Sequence, residues 1–194
     1  MNRMTITHRR PSGASRAFAT MVAMATLLAS TGPAIAANQG TLGATSTGSV
    51  TITASVQNRA QITGLTDVNF TNSDPTTAAT STQSDCVWSN TATKGYSIKA
   101  TGSGTSGAFT LASGVLSPVP YSVQWAQSAA QSSGSALTAG TALSGQVSTA
   151  TTPTCSSGPA TTSSLIVSIA ATDLQNMVAA TTYTGTLTLL ITPL

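Results

Sequence analysis

The most constraining feature of this chain is a strict alternation of apolar and hydroxyl side chains. Val50, Ile52, Ala54 and Val56 occupy every second position, and Thr51, Thr53 and Ser55 fill the gaps. Successive side chains of a β-strand point to opposite faces, so seven residues with period two predict a strand with one apolar and one wettable face. Further strand candidates are Ala60 to Phe70, Gly95 to Thr101, Ala108 to Ala112, Tyr121 to Gln127, Ser164 to Ala170 and Tyr183 to Thr192. Gly, Ser, Thr and Pro stretches such as Gly102 to Gly107, Gln131 to Gly134 and Thr151 to Pro159 separate them and supply turns. The one helix-like stretch, Ala171 to Ala180, is too short and too weakly patterned to change the class. Short strands with regular turn signals predict an all-β, antiparallel β-sandwich.

The charges divide the chain in two. Arg3, His8, Arg9, Arg10 and Arg16 all precede the apolar run Ala17 to Ala29, which is followed by Ala34-Ile35-Ala36. A basic stretch, a short apolar run and an A-x-A site read as a secretory signal peptide spanning residues 1–36. Cleavage there removes 36 of the 194 residues and leaves 158. The remainder carries Arg59, Lys94 and Lys99 against Asp67, Asp74, Asp85 and Asp173, so the basic overall charge belongs to the leader. Without a clustered basic face, nucleic acid is not an expected partner. From Ala37 onward 56 residues, about a third, are Ser or Thr, but charge near zero and alternating β-branched runs argue against disorder. A length of 158 suits one domain, expected over residues 49–194 after a flexible extension at 37–48.

The same census removes most chemistry. The only histidine, His8, lies in the leader and there is no glutamate, so neither a Ser-His-Asp nor a Cys-His site can be built. Four scattered aspartates supply no glycosidase pair, no zinc ligand spacing and no D-x-D-x-D calcium loop, and are expected to be solvated loop residues. Lys94 and Lys99 have no serine at a recognisable dyad spacing. The chain is read as a non-enzyme with no catalytic, cofactor-binding or metal-binding residues and no cofactor. Trp88, Trp125, Tyr96, Tyr121 and Tyr183 could form a sugar platform, but in so aromatic-poor a chain they are expected to fill the core.

Cys86 and Cys155 are the only cysteines, and a signal peptide sends them to an oxidising compartment, so a disulfide is expected. A redox thiol would want a C-x-x-C spacing or a neighbouring base, and neither is present. No stable membrane insertion is expected, since the carboxyl-terminal Leu187 to Leu194 is too short for a spanning helix and the aromatics are too few for the girdles of an outer-membrane barrel. In that last strand Tyr183, Gly185, Leu187, Leu189 and Ile191 fall on one face when read in steps of two.

Four stretches in order, SVTITASV from Ser49, GYSIKATGSG from Gly95, VPYSVQW from Val119 and YTGTLTLLIT from Tyr183, resemble subunits of chaperone-usher pili. The likeness is to the alternate and archaic branches, which include colonisation-factor fimbriae and spore-coat-U-like pilins. It implies an immunoglobulin-like sandwich lacking its last strand, completed by the amino-terminal donor strand of a neighbouring subunit. On that footing Val50, Ile52, Ala54 and Val56 are the donor residues. The carboxyl-terminal strand with Tyr183, Gly185, Leu187, Leu189 and Ile191 borders the groove and pairs with the chaperone. The implied partners are neighbouring pilin subunits, a periplasmic chaperone and an outer-membrane usher. The implied location is the periplasm during assembly and then a cell-surface fimbria serving attachment and biofilm formation. Periodicity alone is equally met if Val50 to Val56 is the first strand of its own sandwich. A free-standing secreted or periplasmic β-sandwich module that binds carbohydrate or a surface polymer is the alternative.

Overall fold

The structure, a computed structural model, describes residues 37–194; the leader read at residues 1–36 lies outside the described residues. Residues 55–194 form one unit, and the described residues up to Ala54 belong to another. In the latter the ordered feature is a single antiparallel bridge, Asn38 N donating to Ser49 O and Ser49 N to Asn38 O, each at 2.9 Å.

The strands of the larger unit all pair antiparallel, and its helical segments are a 3-10 turn at Thr105–Gly107 and one short α-helix. Its strands are β1 (Ala60–Thr63), β2 (Ala79–Ser89), β3 (Gly95–Gly102), β4 (Thr110–Leu111), β5 (Val119–Pro120), β6 (Ser122–Ala126), β7 (Ser135–Ala136), β8 (Ala142–Val147), β9 (Ser163–Ile169) and β10 (Leu187–Pro193), with α1 (Ala171–Gln175) between β9 and β10. One sheet has the order β1-β2-β9-β6-β7, a second the order β10-β3-β8, and β4-β5 form a small ribbon. Val87 of β2, Val123 and Trp125 of β6 and Leu165, Val167 and Ile169 of β9 meet Tyr96, Ile98 and Ala100 of β3 in one buried cluster. Two sheets thus share one core, as the alternating pattern predicted. Trp125 and Tyr96 are among its largest members, and the indole Nε1 donates to the Tyr96 hydroxyl at 3.0 Å, so burying both polar tips leaves neither unsatisfied.

Several strands end differently from the sequence expectation. The stretch from Ala60 stops at Thr63 because Gly64 takes φ +87°, a left-handed turn that breaks the pleat. Tyr183 to Thr186 lies outside β10, and α1 is half the length of the expected helical stretch. β2 and β8 were not anticipated at all. β2 is polar for a central strand, yet its hydroxyls and its neighbours' are used: Ser89 Oγ donates to Gly95 O at 3.0 Å, and Thr162 Oγ1 accepts from Val87 N at 2.9 Å. A hydrogen-bonded hydroxyl can be buried at little cost.

Cys86 and Cys155 form the expected disulfide, joining β2 to the long loop between β8 and β9 across 69 positions. Buried Ala150 and half-buried Trp88 pack around it as a small second cluster. Loop backbone is pinned there by Lys94 Nζ donating to Ala150 O at 3.3 Å and by the Ser148 hydroxyl donating to Val87 O.

Candidate functional site

β10 is an edge strand. It pairs with β3 from Leu187↔Gly102 to Pro193↔Tyr96, and among the described residues no strand pairs with its other side. Leu194 N donates to Gly95 O at 3.0 Å. In an antiparallel ladder the backbone groups of alternate residues point to opposite sides, so Thr188, Leu190 and Thr192 also bond toward β3. The N–H and C=O groups of Leu187, Leu189 and Ile191 therefore face the unpaired side.

The same three residues turn their side chains inward. Leu187, Leu189 and Ile191 are half-buried and pack on the core cluster, while Thr188, Leu190 and Thr192 are exposed. β1, the edge strand of the other sheet, lies close to β10 and contributes half-buried Ile62 to the same cluster. One flank of the sandwich therefore presents a row of unpaired backbone groups above incompletely covered apolar side chains. That combination is what an added strand recognises, by ladder hydrogen bonds and alternate side-chain contacts.

The remaining residues of the predicted carboxyl-terminal face are placed elsewhere. Tyr183 is buried, and its hydroxyl accepts from Val178 N at 3.3 Å. Thr184 exchanges backbone bonds with Ala112 at 2.8 and 2.9 Å, which ties this stretch to the β4 end of the molecule. A Cβ on Gly185 would stand 2.8 Å from Thr110 O, so that contact requires glycine.

Residues 50–56 belong to none of the sheets, and Val50 (72 %), Ile52 (88 %) and Val56 (81 %) are exposed, as is Ala54. Downstream, Asn90 of the β2–β3 turn holds the chain entering β1: its Nδ2 donates to Gln57 O at 2.8 Å and its Oδ1 accepts from Arg59 N at 2.6 Å.

Among the described residues no group of His, Cys, Asp and Glu is arranged to hold a metal ion, and no helix is long and apolar enough to cross a membrane. Tyr96, Tyr121, Tyr183 and Trp125 are buried and Trp88 is half-buried, so they form no exposed platform. The aspartates divide. Asp74 accepts from Thr76 N at 2.8 Å and Thr76 Oγ1 at 2.7 Å, which holds its carboxyl below the ordinary range. Asp85 corrects the expectation of solvated loop aspartates: it sits within β2, fully buried, with neither carboxyl oxygen hydrogen-bonded. Burial pushes it up to about 6.

Comparison of the chain with protein-family models and with curated proteins gives no match.

Proposed function

We propose that the chain is a structural subunit of an extracellular fimbria, built as an immunoglobulin-like sandwich that lacks its last strand and is completed by a neighbour's amino-terminal donor strand. The observation that carries this reading is the open side of β10. The two antiparallel sheets, β1-β2-β9-β6-β7 and β10-β3-β8, packed on one core, support the sandwich part of this reading, and the immunoglobulin-like topology with a missing strand beside β10 is its proposed refinement. The exposed alternation Val50 to Val56 supplies an occupant of matching length, seven residues against the seven of β10. In the assembled fibre its apolar side chains would cover Leu187, Leu189 and Ile191, and its backbone would bond the unpaired groups beside them.

The resemblance to chaperone-usher subunits supplies the rest of the proposal. A periplasmic chaperone caps the same side before assembly, an outer-membrane usher exports the subunit, and the filament serves attachment and biofilm formation. The exported chain carries no catalytic role in this scheme.

A synthetic peptide of sequence SVTITASV tests the reading directly. Added to the oxidised protein with residues 37–56 removed, it is expected to raise the melting temperature and to shield the amides of Leu187, Leu189 and Ile191 from exchange. Protection appearing elsewhere, or none from a peptide in excess, would count against the β10 side as the docking edge.

A further inference from the structure

Asp85 sits beside a narrow strip of chain that continues β1. In the β1–β2 register the last pair is Thr63↔Cys86, so Gly64 comes next to Asp85, and a Cβ built on Gly64 would lie 3.7 Å from the Asp85 Cα. Two residues further the strip is clasped to β2. Thr66 N and Oγ1 donate to Gln83 Oε1 at 2.7 and 3.0 Å, and Gln83 Nε2 returns a bond to Thr66 O at 3.2 Å. Residues 64–66 thus run beside Asp85 of β2 between two fixed points, the end of the ladder and the glutamine clasp. Gly64 and Leu65 are themselves exposed, so the strip beside the fully buried Asp85 is open to water on its outer side.

No group bonds to its carboxyl, and Lys94, in the β2–β3 turn, spends its Nζ on Ala150 O at 3.3 Å. Thr162 N and Ser163 Oγ donate to the backbone carbonyl of Asp85, at 2.8 and 3.1 Å, and leave both carboxyl oxygens without partners. β1, β8, β9 and β10 contain no titratable side chain. On β3, Tyr96 is engaged by Trp125, and Lys99 alternates away from the buried Tyr96, Ile98 and Ala100. Asp67, after the clasp, and Arg59, before β1, are exposed.

We propose that residues 64–66 are a proton-operated flap: a proton on Asp85 lets the flap stay shut over the neutral carboxyl, and loss of that proton opens it and admits water. An unpaired carboxylate cannot be held in an apolar interior without solvent or a partner, and lifting the strip is the shortest route to solvent. The glycine turn on one side and a side-chain clasp on the other make the strip cheaper to open than the ladder next to it. The inference is independent of what the domain assembles with.

The sign follows from linkage. With the flap shut the carboxyl titrates near 6; with it open it returns to the ordinary value near 4. Closure is therefore strongest below about pH 4, weakens as pH rises between those two values, and levels off above pH 6, an overall change of roughly 100-fold in the opening equilibrium. The Thr66 amide, bonded to Gln83, reports it. In hydrogen exchange corrected for intrinsic rates, its protection is expected to fall about tenfold per pH unit over that window while core amides such as Leu137 N, bonded to Val123 O at 2.9 Å, do not follow. In Asp85→Asn the dependence should vanish. A direct titration of the Asp85 carboxyl carbon in the unmodified protein gives a second readout should that variant fail to fold, with a midpoint near 6 expected. An ordinary midpoint, a pH-independent Thr66 amide, or equal loss at every core amide would overturn the flap.

Discussion

Ile52→Asp separates assembly from folding. In the subunit the Ile52 side chain is 88 % exposed and lies in no sheet, so the substitution is expected to change the stability of the isolated domain by no more than about 0.5 kcal/mol, the usual range for surface changes. In the proposed donor arrangement it would face half-buried Leu187, Leu189 and Ile191 of a neighbour. There the change forfeits about 2 kcal/mol of apolar burial and desolvates a carboxylate with no cation on β10, for about 3 kcal/mol more. A loss of about 5 kcal/mol corresponds to more than 1,000-fold weaker docking. The assay is co-expression with the proposed periplasmic chaperone, with recovery of the soluble complex by affinity capture and fibre yield by electron microscopy measured on the same preparation. The expected result is a normal complex and no fibres. Loss of the complex together with the fibre would mean that Ile52 belongs to its own domain's interior, and donor exchange through this segment would be refuted.

Other perturbations probe the scaffold. Replacing Cys86 and Cys155 together by Ala frees a loop of 69 positions and is expected to lower stability by about 4 kcal/mol in the chain-entropy treatment, read as a drop in urea midpoint; an unchanged midpoint would show that the loop is held by its other bonds. Trp125→Ala opens a core cavity and strands the Tyr96 hydroxyl, for a loss of about 3 to 5 kcal/mol by the same measurement. Gly185→Val drives a side chain toward Thr110 O and should break the Ala112–Thr184 bridge, visible as faster exchange of those two amides with the β9 amides unaffected. Extending the chain beyond Leu194 places new residues past the end of β10, next to the bond from Leu194 N to Gly95 O, and is expected to impair chaperone capture while leaving the domain folded; normal capture would place the chaperone elsewhere.

What the sequence made legible was whatever rests on apolar periodicity. β3, β6 and β9 supply most of the core and were predicted within a residue of their observed bounds, whereas β10 starts four residues later than its predicted stretch. β2 was not, because its core-facing positions read Ala79, Ser81, Gln83, Asp85, Val87 and Ser89, a pattern that hydropathy cannot distinguish from a loop. Its strand character comes from tertiary pairing on both sides, with β1 and β9, and from hydroxyls such as Thr162 that satisfy its backbone from a distance in sequence. The converse case is Val50 to Val56, the most regular alternation in the chain, which is in no strand at all. Periodicity states that a segment can pair, and says nothing of which partner it pairs with. The buried Asp85 was illegible for the same reason as β2, since a lone aspartate among serines carries no sign of its depth.

The candidate edge follows from residue choices that natural sheets usually avoid. An unpaired strand is ordinarily blunted by charge, by an early proline or by a bulge, because a flat apolar edge recruits other chains. β10 reads Leu-Thr-Leu-Leu-Ile-Thr-Pro, with no charge, no bulge in its ladder and its proline only at the last position. Chemically blunting that edge would need no more than a lysine at Thr188 or Thr192, both exposed, so the fold itself does not require the unprotected sequence. At the other end of the chain, Val50 to Val56 likewise exposes large apolar side chains with no charge among them. Either feature alone is an aggregation hazard. Together, matched in length and in the period of their apolar faces, each is the complement that would remove the other's hazard, and in the proposed fibre the strand would pass from one copy to the next.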